Sequence, residues 1–342
     1  MKVTMRDIAK YANVSLSTVS RALSGNGYIG EETRGLILKA CEDLKYKPSY
    51  AINNMRMDNN IVGILTADLS NEFNVHIIEG VTNIADQNGF DVVIFDAQER
   101  EEKEERLAEL LKKLPLKALV FTPVMDTQNI NYKLIGTLEN LKIPIVLVDR
   151  DLIYSNFDAV FLDNAAGASD AVNALINAGH RKIATIAGVE SSLTGKDRVV
   201  GYRKALHMNG IEVKEEYIQD GKFTMEGGYQ AMLRILDMED PPTAVLVANV
   251  TMMNGCYKAL EECGKRIPED IAIISFDDLC AIKIRKELST ISQPMLEMGE
   301  AAMKILIERL RYPVQTHRET RHVILLPKLN LRGSERYCKS TG

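Results

Sequence analysis

From Asn60 onward the chain alternates short Val/Ile/Leu-rich runs with amphipathic helical stretches, and this alternation constrains the fold more than any other feature. The apolar runs fall at 61–66, 91–95, 118–122, 145–148, 159–162, 182–187, 244–247 and 271–276. Helical spacing covers 75–88, 103–114, 165–178 and 201–208 between them. Continuously apolar strands separated by helices must be buried on both faces, which is the condition of a parallel sheet sandwiched by helices. Right-handed crossovers then place the ligand-facing loops at the carboxyl ends of the strands. The pattern runs twice, over roughly 60–160 and 163–290, so the body reads as α/β, two doubly wound parallel-sheet subdomains with a cleft between them. A last helix at about 295–310 and a strand at 322–326 return to complete them. The expected first subdomain is about 60–161 with 293–320, and the second 162–292 with 321–335.

The first 57 residues differ in kind. They carry nine Lys/Arg against five Asp/Glu, whereas the remaining 285 carry 33 against 42. A basic end on an acidic body concentrates phosphate attraction on one small module. Thr4-Met5-Arg6-Asp7 reads as a capping box, with the Thr4 hydroxyl expected to accept from the Asp7 amide. Met5, Ile8, Ala9 and Ala12 then recur at helical spacing, and Asn13 tolerates the left-handed conformation that ends a helix. Ser15 caps a second short helix from Leu16 to Leu23, which turns Val19, Ala22 and Leu23 inward and Leu16, Ser17, Thr18, Ser20 and Arg21 outward. Small polar side chains let a helix approach base edges in a major groove, and arginine can bond guanine O6 and N7 together. Read alone, this segment is as readily an ordinary polar surface helix. A third helix at 31–44 packs through Leu36, Ile37, Ala40, Cys41 and Leu44, and Pro48 ends it.

The exact series Thr4-x-Arg6-Asp7-Ile8-Ala9-x-x-Ala12-x-Val14-Ser15-x-Ser17-Thr18-Val19-Ser20-Arg21-Ala22-Leu23 resembles the headpiece signature of the lactose-repressor (LacI/GalR) family of bacterial regulators, and Thr33-Arg34 and Leu44-x-Tyr46-x-Pro48 continue it. The resemblance implies an all-α helix-turn-helix headpiece over 1–48, with Leu16, Ser17 and Arg21 reading bases and Thr4, Thr18, Ser20, Asn26 and Thr33 holding phosphates. It also implies a hinge segment at 49–59, in which Tyr50 to Met57 folds on DNA and Met55 wedges into the minor groove. Ile52-Asn53 and Met55 stand where the family commonly has Ala-Arg and Leu. The body resembles the periplasmic-binding-protein-like core of the same family through Asp163-Asn164-x-x-Gly167, Gly179-His180-Arg181-Lys182-Ile183, Arg198-x-x-Gly201-Tyr202-x-x-Ala205-Leu206 and Phe276-Asp277-Asp278.

Polar and aromatic residues at strand ends are the candidates for a binding cleft. Asp68, Phe73, Thr122, Asp149, Asn249 and Asp277 meet that criterion without reference to any family. Carboxylates and amides suit adjacent hydroxyls, and rings stack on sugar or base faces. Each strand-end Asp reads equally well as a helix cap or turn. The resemblance implies effector contacts at Asp149, Thr194, Arg198, Asn249, Asp277 and Gln293, with Phe223 as the aromatic, and Arg198 as a clamp for hydroxyls or an anion. Val250 stands where the family has Asp.

Catalytic motifs are missing. Gly188 to Lys196 approaches a phosphate loop, but Glu190 occupies the required glycine position and Asp197 follows the lysine. No GxGxxG follows the first strand, and neither GxSxG nor HExxH occurs. The five cysteines are scattered without a CxxC pair, so neither a metal nor another cofactor is expected. No apolar run has the ~18 residues of a membrane span, and the N-terminus lacks the apolar core of a secretory signal. The reading is a cytoplasmic, non-enzymatic homodimeric repressor of a pseudo-palindromic double-stranded operator, controlled by a small molecule, a sugar or sugar derivative. Two rivals are control by a phosphorylated partner protein and a transport solute-binding protein, which would need a signal peptide and no headpiece.

Overall fold

The computed structural model describes residues 3–24, 29–44, 46, 60–124, 131–189, 192–278, 287–312 and 319–337. An N-terminal unit runs through Asn60, and a body begins at Ile61.

Three helices make up the described part of the first unit: α1 (Met5–Tyr11), α2 (Leu16–Ser24) and α3 (Glu31–Asp43). At the start of α1 the Asp7 carboxylate accepts from both the N–H (2.8 Å) and the hydroxyl (2.7 Å) of Thr4. The expected capping box is present, with the Thr4 side chain meeting the Asp7 amide, and the hydroxyl in addition donates to the Asp7 carboxylate. Asn13 takes the left-handed conformation (φ 51) between α1 and α2. Ser15 Oγ accepts from the Thr18 amide at 3.1 Å and caps α2. Ile8, Val19 and Ile37 are wholly buried at the centre, ringed by Ala9, Ala22, Leu23, Ala40 and Cys41. Leu36, expected on the packing face of α3, is 54% exposed. Two short partner helices cover only the stripe through Ile37, Ala40 and Cys41.

The body contains two six-stranded sheets. The first is ordered β11-β5-β4-β3-β1-β2, from β1 (Ile61–Thr66), β2 (Asp91–Asp96), β3 (Ala118–Phe121), β4 (Ile145–Val148), β5 (Asp158–Leu162) and β11 (His322–Leu325), all parallel. The second is ordered β12-β10-β9-β8-β6-β7, from β6 (Ile183–Ala187), β7 (Ile218–Asp220), β8 (Ala244–Val247), β9 (Ala272–Phe276), β10 (Ser289–Ser292) and β12 (Lys328–Asn330), with only β12 antiparallel. Around the first sheet lie α4 (Glu72–Gln87), α5 (Glu101–Leu111), α6 (Tyr132–Glu139) and α11 (Met295–Arg311). Around the second lie α7 (Asn164–Asn177), α8 (Leu193–Met208), α9 (Met225–Leu236) and α10 (Val250–Glu262).

The chain changes sheets three times, after β5, after β10 and after β11. The strand at 322–325 pairs with β5 in the first sheet, so the expected boundary at 321 moves to the crossover at Leu326-Pro327. Proline supplies no N–H and ends the ladder there. Both β5 and β10 deliver the chain to the other lobe from their carboxyl ends, so the carboxyl edges of the two sheets face one another at the crossovers.

Helix pairs on each lobe approach at backbone distance. A Cβ on Gly80 of α4 would sit 2.1 Å from Leu296 O of α11, and one on Gly299 of α11 would sit 2.0 Å from Ile77 O of α4. Gly228 and Gly255 do the same for α9 and α10, against Met252 O (2.2 Å) and Met225 O (1.9 Å). Only glycine permits such contact. β2 was expected as a buried run, but it forms the open edge of the first sheet, with Ile94 42% exposed.

Candidate functional site

The headpiece presents the outer face of α2. Leu16 is 43% exposed, and Ser17, Ser20 and Arg21 are exposed beside it. The Ser17 hydroxyl lies 2.7 Å from Ser15 Oγ and the Thr18 hydroxyl 2.7 Å from the same atom, so the cap organises both side chains. Thr33 is half-buried on α3. Thr4 is engaged with Asp7, whose carboxyl it holds below the usual range through its hydroxyl and then its N–H. Asn26, Tyr50 and Met55, with Ile52 and Asn53, lie outside the described residues. The arrangement is a short helix with a small-residue face and one arginine, held by a capped turn on two others, which is the form that enters a major groove.

In the body, the carboxyl ends of the strands gather the second set. Asp149 follows β4 and Asp277 follows β9, and both have positive φ, 69 and 71. Few residues other than Gly, Asn and Asp take this conformation cheaply. Asp277 accepts from Gln293 Nε2 at one oxygen and from the Val250 N–H (3.3 Å) at the other. A carboxylate can only accept, so the amide nitrogen of Gln293 must face Asp277. That leaves Gln293 Oε1, buried and without a hydrogen-bond partner among the described residues. The missing Asp at position 250 is thus met by Asp277, whose carboxylate sits at the first turn of α10.

Several expected ligand contacts are committed to the protein itself. Asp68 accepts from the N–H (2.9 Å) and the hydroxyl of Ser70 (2.8 Å), making a turn. Asn249 caps α10 by accepting from Met252 N–H at 2.8 Å. Thr194 pairs with Ser192, the cap of α8, at 2.9 Å. Arg198, 8% exposed, donates from Nε to Asn164 Oδ1 (2.8 Å) and from a terminal nitrogen to Ala248 O, and its guanidinium lies 4.0 Å above the Phe276 ring. It is built into the wall, joining α7 to the ends of β8 and β9. The Phe223 ring fills the space where Cβ atoms on Gly188 and Gly195 would stand, at 1.9 and 3.4 Å, and its φ of 56 turns it inward over β6. Thr122 is buried at the end of β3, and Phe73 packs on the first core at the start of α4.

Sequence reasoning missed two residues at the carboxyl edge of the first sheet. Arg150, next to Asp149, forms a two-pronged pair with Glu99 (3.0 and 2.9 Å) and donates to Pro123 O and Val124 O. Glu104 of α5 is 3% exposed and accepts from Val124 N–H at 2.6 Å. Burial pushes its carboxyl up to about 7 despite that bond. The Asp149-Arg150 doublet at a strand end was a readable signal for the first, whereas Glu104 was lost in an acidic helix.

Comparisons with known proteins agree with this geometry. Residues 4–49 match the model of bacterial regulatory proteins of the lacI family, and residues 172–335 match a periplasmic binding protein-like domain. The repressor PurR of Pectobacterium atrosepticum is 31% identical over 94% of this chain and 93% of its own. Catabolite control protein A of Priestia megaterium is 29% identical over 90% and 92%. A transcriptional regulator, CelR, solved in complex with cellobiose superimposes with a TM-score of 0.72 at 27% identity, covering 97% of this chain and 99% of that one. A LacI family regulator from Enterococcus faecium with bound ribose gives 0.71 at 27% identity, over 82% and 100%. No helix among the described residues is long and apolar enough to cross a membrane. The chain belongs to the LacI family of bacterial regulatory proteins, as a DNA-binding transcriptional regulator with a periplasmic-binding-protein-like body.

Proposed function

We propose that the cleft between the two sheets takes an uncharged, hydroxyl-bearing small molecule of the sugar class, and that its occupancy controls operator binding by a homodimeric repressor. The observation that carries this reading is Gln293 Oε1, a buried acceptor without a donor among the described residues, beside the acceptor-only carboxylate of Asp277. Such a pair calls for O–H groups from a ligand and repels phosphate or carboxylate. Arg198 and Arg150, the cations that an anionic effector would use, are engaged by Asn164 and Ala248 O and by Glu99. The relatives solved with cellobiose and with ribose support the same class of ligand.

The dimer reading is supported by the open edge of the first sheet, where Ile94 of β2 and nearby Leu69 and Val75 are exposed. Two headpieces on such a dimer suit a pseudo-palindromic operator. A thermal-shift screen of neutral sugars, sugar phosphates, sugar acids and nucleobases tests the ligand class, because a ligand of the folded state raises the melting temperature. A neutral sugar should raise it, with the shift lost in Gln293→Leu. A response confined to phosphorylated compounds would reverse the assignment, and silence across the panel would point to control by a phosphorylated partner protein.

A further inference from the structure

The residue after Asp277 is held from a different direction. Arg332, on the strap that follows β12, donates from both terminal nitrogens to the Asp278 carboxylate, at 2.7 and 2.8 Å. The same guanidinium donates to Leu288 O (2.9 Å) and Thr290 Oγ1 (2.7 Å), and the Thr290 hydroxyl closes the ring by donating to Asp278 at 2.6 Å. Burial works against ionisation of Asp278, but Arg332 and then Thr290 outweigh it and hold the carboxyl below its usual range. Asp278 is thus tied to the strap by a charged contact, one peptide away from a residue at φ 71.

Among the described residues, the backbone of Asp277 makes one such hydrogen bond, from its N–H to Ile291 O at 3.0 Å. Aspartate takes the left-handed conformation at modest cost, so a fixed neighbour is what selects that turn over the others open to it. The two-pronged Arg332–Asp278 contact supplies that constraint, since fork-to-carboxylate pairing fixes orientation as well as distance. The strap is also mechanically connected to the other lobe. The chain leading into it leaves β11 of the first sheet, crosses at Pro327, whose Cγ lies 2.7 Å from where a Cβ on Gly167 would be, and pairs with β10 through β12 before the strap begins.

We infer that Arg332 is a positioning residue for the effector cleft: through Asp278 it sets the left-handed turn that aims the Asp277 carboxylate at Gln293 and at the first turn of α10. The inference rests on the cleft reading for its functional meaning, but its geometry is testable with no effector present. Hydrogen exchange on the full chain is the measurement, followed at the first turn of α10, where Val250 N–H donates to Asp277 and which Arg332 does not touch. In Arg332→Ala, exchange there should rise about tenfold, the scale of one lost charge-assisted hydrogen bond, while β8 exchanges as before. Arg332→Lys, which keeps the charge but not the fork, should give a partial effect. Ser334→Ala cuts a separate strap anchor, the hydroxyl that donates to Ile273 O at 2.6 Å, and should leave α10 unchanged. Should Arg332→Ala fail to fold, Asp278→Asn should produce the same local loosening. A uniform rise across the second sheet, an equal effect in Ser334→Ala, or an unaltered first turn of α10 would each overturn the inference. Failure of the sugar screen with this exchange pattern intact would refute the ligand class and leave the positioning role standing.

Discussion

Asp149 and Asp277 occupy the same place in the two halves of the body. Each follows the third strand in from its sheet's C-terminal edge, β4 or β9, each is left-handed, and each donates its N–H at 3.0 Å to the next strand, to Val160 O or Ile291 O. The strands beyond them match as well: Thr122 N–H donates to Leu65 O at 2.9 Å, and Ala248 N–H donates to Ile186 O at 3.0 Å. The body is therefore an internal pair of like units, with one left-handed carboxylate contributed by each to the facing edges.

The conformation at these two positions separates side-chain chemistry from backbone tolerance. Asp149→Asn and Asp277→Asn should fold with nearly unchanged stability, because Asn accepts left-handed φ. Val at either position should cost about 1–3 kcal/mol in urea denaturation. Equal stabilities of the Asn and Val variants would show that the turn is unstrained.

Glu104 should make stability fall as pH rises. Its carboxyl is held at about 7 in the folded protein against 4.5 as the ordinary value, so the folded state binds the extra proton between these limits. The contribution is fully present below pH 4.5, is lost as pH climbs to about 7, and is constant above. Its size is about 3 kcal/mol at most. In Glu104→Gln this loss should vanish, so the variant should gain on the wild type between pH 5 and pH 8. Parallel denaturation curves across that range would place the titration elsewhere.

The glycine contacts between α4 and α11 should tolerate no methyl group. Gly299→Ala must separate α11 from Ile77 O, and Gly80→Ala must separate α4 from Leu296 O. Each should destabilise the protein by about 1–3 kcal/mol, the usual cost of overpacking. Gly136→Ala on α6, where a Cβ meets nothing within 4 Å, is the control and should be neutral or stabilising. A harmless Gly299→Ala would mean that the helices slide apart at little cost.

For the headpiece, Arg21→Ala should weaken binding to a site selected from random DNA by about 1–3 kcal/mol and relax one base position. Binding to nonspecific DNA should lose only the modest contribution of one charge. An unchanged base preference in a repeated selection would remove Arg21 from base reading.

How much was legible depends on what each residue answers to. All eight expected apolar strands formed, seven of them because burial writes itself as Val, Ile and Leu runs, whereas β2 carries the same residues on an exposed edge. β7 (Ile218–Asp220) and β10 (Ser289–Ser292) escaped notice because the first has three residues and the second is largely Ser and Thr, paired with neighbours instead of apolar helices. The lobe assignment of 322–325 failed because an apolar strand fits either sheet, and only pairing decides. Asp68 and Asn249 were named as cleft residues, and the structure uses Asp68 in a turn and Asn249 as a helix cap, alternatives that strand-end position could not separate. The Asp278–Arg332 contact joins residues 54 positions apart, beyond the reach of any local pattern.

The three passages between sheets govern the order in which this protein can be completed during synthesis. β1 to β5 emerge from the ribosome first, but the α11 helix that covers their sheet and the β11 strand that closes its edge come after the whole second sheet except β12. The earlier lobe therefore stays incomplete while nearly all of the second is made, and until α11 arrives it exposes Val62, Ile64, Val120 and Val146 on the face that α11 will cover. A nascent chain stalled near residue 290 should accordingly be the species that chaperones hold longest.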